Sequence, residues 1–143
     1  MRRNSHSIFR RKTMTNKKNE KIYVVLCEPG KRARITAIEN TLRSLQRIVG
    51  GDIQAIYPND DPIAIICNEE DKINGMTLNR ALRDADGAVY DILAGTFLII
   101  GLGEENFTTL SEDHREKYRR MFAYPEIFIG VNDGILALQI VEE

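Results

Sequence analysis

NRALRDADGAVYDILAGTFLIIG, residues 79–101, is the stretch whose reading decides the fold. It places a polar cluster, an Asp86-Gly87 turn, a short strand and the most apolar run of the chain end to end. The pattern predicts a short helix or loop over 77–83, a tight turn at Asp86-Gly87, a strand over 88–92 and a long apolar strand over 95–101. Gly101 and Gly103 end that strand. The rest of the chain then supplies flanking strands before the stretch and cover after it.

Upstream, residues 22–27 (IYVVLC) and 63–67 (IAIIC) are continuous apolar runs, the pattern of strands buried on both faces. Residues 34–39 (RITAIE) alternate and sit a turn away from the first run, across Glu28-Pro29-Gly30-Lys31. They predict a hairpin, with Ile35, Ala37 and Ile38 facing inward. Asn40 is a suitable N-cap for a helix whose Leu42, Leu45, Ile48 and Val49 share one face. Gly50-Gly51 terminates it. Residues 52–57 alternate as a further strand, and the Pro58 to Pro62 segment breaks the chain.

Downstream, Thr109 with Glu112 forms a capping box, with Ser111 as the competing cap. The helix that follows, over 113–122, should turn His114, Tyr118, Met121 and Phe122 inward. Asn132-Asp133-Gly134 is a hairpin signal between two last strands. The links between neighbouring strands are of hairpin length, too short for parallel crossovers. The reading is α+β: a mostly antiparallel or mixed sheet, able to curl into a partial barrel, with two main helices.

The 143 residues suit a single domain over 21–143, preceded by a disordered basic tail over 1–20. Residues 1–21 carry +7 against a chain total of −1, which leaves −8 on residues 22–143. An acidic body argues against broad contact with nucleic-acid phosphates, the basic tail apart. No run of 18 apolar residues predicts a membrane span, and no apolar centre near the start predicts a secretory signal. The expected compartment is a bacterial host cytoplasm. Cys27 and Cys67 lie in strand-like runs and read as buried thiols. The two Cys and two His lack metal-ligand spacing, so no metal and no cofactor is expected.

No catalytic motif is present, and no enzyme activity is expected. Gly101-Leu102-Gly103 lacks the third glycine of a dinucleotide loop, because Asn106 stands there. The polar cluster is the candidate ligand site: Asn68, Asn74, Asn79, Arg80, Tyr90, Asp91 and Thr96. Arg80 offers a planar fork for phosphate or carboxylate, the Asn amides can read a base edge, and Tyr90 can stack. The plainer reading is turn chemistry, with Arg80 pairing Asp84 at i+4. The loop acids Asp60, Asp61, Glu69, Glu70, Asp71, Asp84, Asp86, Glu104 and Glu105 could instead meet a basic partner.

CEPGKRARI, SLQRIVGGDIQAIYPNDDPIAIICNEEDKINGMTLNRALRD and GAVYDILAGTFLIIGLGEENFTTLS together resemble a family of small bacterial and phage proteins known only as a domain of unknown function. The resemblance spans roughly residues 22–122 and implies mobile-element biology, with no established activity or site. The expected function is therefore that of a non-catalytic accessory or counter-defence protein. It would bind a nucleotide-like small molecule or a host protein. Two alternatives stand beside it: a small enzyme using the carboxylates Asp84 and Asp91, and a nucleic-acid binder led by the basic arm. An uncovered edge strand would allow a homodimer.

Overall fold

The computed structural model describes residues 20–70 and 75–141. Of the tail expected over 1–20, residues 1–19 lie outside them. Ten strands and two helices follow in the order β1 (Lys21–Cys27), β2 (Arg34–Glu39), α1 (Leu42–Val49), β3 (Ile53–Ile56), β4 (Ile63–Asn68), β5 (Leu78–Arg83), β6 (Val89–Ala94), β7 (Phe97–Leu102), β8 (Phe107–Thr108), α2 (Glu112–Met121), β9 (Glu126–Val131) and β10 (Gly134–Gln139).

The main sheet runs β2-β1-β7-β4-β3, with β8 added to β7. Its pairings are antiparallel. β7 sits in the middle: Ile99 pairs Val25 on one side and Ile65 on the other. Side chains alternate along a strand, so β7 serves two cores at once. Leu98 and Ile100 join Val24, Leu45 and Ile66 on the α1 face. Phe97 and Ile99 join Val25, Ile65, Tyr118 and Phe122 on the α2 face. Cover on both faces explains why β1, β4 and β7 read as unbroken apolar runs.

Four expectations need correction. β2 and β3 end the sheet as separate edges, so it is open and does not curl into a barrel. The segment expected as helix or loop is strand β5, paired with β6 in a two-stranded sheet. In β2 the inward phase is reversed: Ile38 is buried, whereas Ile35 and Ala37 are exposed. Met121 is exposed, while Tyr118 and Phe122 are buried as expected.

The caps were decided by competing hydrogen bonds. Thr41, not Asn40, caps α1 and accepts from the Ser44 N–H, while Asn40 Nδ2 donates to the Phe107 carbonyl at 2.9 Å. Ser111 caps α2, because the Thr109 hydroxyl instead accepts from the Tyr23 N–H at 2.8 Å. Gly50 ends α1 with φ 83°, and Gly30 shapes the β1–β2 turn with φ 77°. The Asn132-Asp133 turn joins β9 to β10 as read from the sequence.

Cys27 and Cys67 are both buried. Burial pushes the Cys27 thiol up to about 12, against a smaller opposing pull from Arg80, so it is protonated at neutral pH.

Candidate ligand-binding cleft

The β5–β6 hairpin lies over the α2 face of the main sheet, contributing Leu82 and Leu93 to that core. Its turn is set by Asp84, whose Oδ1 accepts from the Asp86 and Ala88 N–H groups at 2.9 and 3.0 Å. Gly87 supplies the positive φ of 85° that the turn requires.

Two buried polar side chains brace this hairpin against the body. Asn79 Nδ2 donates to the carbonyls of Cys27 and Gly95 at 3.0 and 2.8 Å. Asn79 Oδ1 accepts from Arg80 Nη1 at 2.6 Å. Arg80 Nε donates to the Phe122 carbonyl at 3.2 Å, and Nη2 to the Lys31 carbonyl at 2.6 Å. Arg80 is 0% exposed. Its fork is turned inward onto main-chain carbonyls, and the expected pairing with Asp84 does not form, since β5 is a strand. Burial lowers the pKa of the guanidinium from its ordinary value, opposed by Cys27 and Glu126.

The remaining candidates are scattered. Asn68 lies at the end of β4, donating to the Val49 carbonyl at 3.2 Å and accepting from the Glu70 N–H at 2.7 Å. Its side chain thus meets the chain where α1 ends. Asp91 is half-buried, and its Oδ1 accepts from the Ile92 N–H at 2.8 Å. Thr96 is half-buried in the link from β6 to β7. Asn74 lies outside the described residues. Tyr90 is the candidate found at an open cleft, and it is 55% exposed.

That cleft has a volume of about 690 Å³ and opens between the β5–β6 hairpin, α2, the loop after β3 and Gln139 of β10. Ile65, Leu82 and Phe122 form an apolar floor. Asn59, Tyr118 and Asp84 bring polar groups to its walls. Tyr118 donates its hydroxyl to Asp61 Oδ2 at 2.6 Å and accepts from Asn59 Nδ2 at 3.0 Å. Burial, then the Asp61 hydrogen bond, pushes the Tyr118 phenol up to about 12, so it stays a neutral donor. Lys117 also donates to Asp61 Oδ2, at 2.6 Å, and with Tyr118 holds that carboxyl below its usual range.

Charge at the cleft is already paired. Arg83 makes a two-point contact with Glu126, at 3.2 and 3.0 Å. Asp84 is engaged in its own turn, and Asp91 with its neighbouring N–H, which is local turn and strand chemistry. Among the described residues, no group of three or more His, Cys, Asp or Glu could hold a metal ion. No helix among them is long and apolar enough to cross a membrane.

The sequence reading missed Asn59, Leu82 and Tyr118 as cleft residues. Tyr118 carried a signal, as an inward aromatic on a polar helix. Asn59 read only as part of a Pro-rich break, because its partner stands 59 positions away.

One open antiparallel sheet with a core on each face, and a polar-walled, apolar-floored cleft beside one of them, is an α+β arrangement. The match to a known family is more particular: residues 21–123 fit the family described as Domain of unknown function (DUF3846), and the chain belongs to it. The match ends just before β9, so the β9–β10 hairpin lies beyond it. Neither the curated proteins nor the solved structures gave a match.

Proposed function

We propose that this protein is a non-catalytic binder of a neutral, planar small molecule of the nucleobase or nucleoside type, held in the cleft beside Tyr90. The observation that carries this reading is the pairing of an apolar floor (Ile65, Leu82, Phe122) with the neutral polar groups Asn59 and Tyr118 in a cleft of about 690 Å³. Such a cleft gains affinity from burying an aromatic face and selectivity from a few fixed hydrogen bonds. A phosphate finds little support there, because Arg83 is committed to Glu126 and the body is acidic. In the setting that the sequence resemblance implied, this binding would serve as a cytoplasmic accessory function of a bacterial or phage mobile element.

Thermal unfolding with nucleobases, nucleosides and their monophosphates tests the proposal. A ligand at about 100 times its Kd stabilises the fold by about 2.7 kcal/mol, equivalent to a rise in Tm of about 10 °C. The nucleoside is expected to match or exceed its monophosphate. Tyr90→Ala and Asn59→Ala should each weaken binding about tenfold, measured by calorimetry. A flat response to every neutral planar probe would overturn the reading, as would a strict need for phosphate.

A further inference from the structure

The β9–β10 hairpin presents a sheet face with nothing on it among the described residues. Alternation places Ile127, Ile129, Val131, Leu136, Leu138 and Ile140 on one side, with Ile129 opposite Leu136 and Ile127 opposite Leu138. Each is 41–52% exposed. The other side is anchored: Glu126 is buried against Arg83, Gln139 borders the cleft, and Phe128 and Ala137 are half-buried. The aliphatic side therefore points away from the body.

We propose that this face is the dimer interface of the protein, packed against the same face of a second copy about a two-fold axis. The area agrees. Six such side chains expose about 500 Å² of apolar surface, at the upper end of what a monomer leaves in water. Counted on both copies, that is about 1,000 Å² of buried surface, the size at which a specific interface begins.

Chemistry selects a copy of the same chain as occupant. The face offers no charge and no polar side chain, so it complements another purely aliphatic face, and an isologous contact supplies one automatically. The acidic body does not oppose this. Of the acids on the described hairpin, Glu126 is tied to Arg83, and Asp133 sits at the tip. Antiparallel packing of the two hairpins carries the two Asp133 tips to opposite ends.

Sedimentation equilibrium of the full chain over about 5–200 µM is expected to give twice the 16.3 kDa chain mass. The double variant Ile129→Lys with Leu136→Lys should raise the dimer Kd at least about a hundredfold. Far-UV circular dichroism should be unchanged, because both side chains are exposed in the single chain. Ile135→Lys, on the opposite side of the hairpin, should cost far less. If the double variant misfolds, hydrogen exchange of the wild type decides: residues 127–140 should gain protection as concentration rises. A wild type that stays monomeric would overturn the proposal and leave the face to a different chain or to a lipid surface. Open-ended assembly would overturn it too, as would a variant that dimerises as tightly as the wild type.

Discussion

Replacing Arg80 with alanine is expected to lower the free energy of unfolding by about 4 kcal/mol, one of the larger losses available in a domain of this size. The substitution strands the carbonyls of Lys31 and Phe122 and the Asn79 amide oxygen in places where Arg80 had been their donor. Each buried acceptor left unmatched costs about 1–3 kcal/mol. Three separate segments lose their common tie: the β1–β2 turn, β5 and the end of α2. Urea unfolding measures the effect, which at a slope of about 2 kcal/mol/M is a fall in midpoint of about 2 M. Arg80→Lys should recover only part of it, since an ammonium cannot span three directions as a planar fork does. A midpoint within about 0.5 M of wild type would show that the brace contributes little.

Phe97→Ala should cost about 3–4 kcal/mol. Phe97 is fully buried at the start of β7 and meets Phe122 edge-on, with ring centroids 5.4 Å apart and planes at 80°. Its removal opens a cavity between the central strand and the end of α2, where neighbouring strands cannot collapse without breaking the ladder. Phe97→Leu, which keeps most of the volume, should lose less than half as much. Phe122 joins the two sites, with its ring on Phe97 and its carbonyl on Arg80. The double variant Arg80→Ala with Phe97→Ala should therefore be less damaged than the sum of the singles, by at least about 0.5 kcal/mol. Strict additivity would mean that the two sites support α2 independently.

The parts of the fold that could be read in advance are those governed by near neighbours. Runs such as IYVVLC and IAIIC marked strands covered on both faces, and Gly30, Gly50 and Gly87 marked their turns through the conformation that each turn demands. β5 was hidden by its own composition. Asn79 and Arg80 look like surface residues, and nothing local shows that carbonyls 40 or more positions away would bury them. The same non-locality hid the cleft. Tyr90 was visible as a ring near a turn, but the cleft exists only once Asn59, Leu82 and Tyr118 are folded beside it. Asn68 and Asn79 were picked for amides able to read a ligand, and the structure shows those amides holding main chain.

The position of β7 also governs the order of assembly. The first four strands form two hairpins, both complete by residue 68, and they share no hydrogen bonds with each other. Among the described residues, the strand that pairs with both is β7, which begins at Phe97. On a ribosome adding about 5–20 residues per second, the nascent chain holds two ribbons with open inner edges for roughly 2–7 s. During that interval, the unpaired inner edges are templates for the same edges on neighbouring nascent copies, which makes them the sites where mispairing during synthesis is expected.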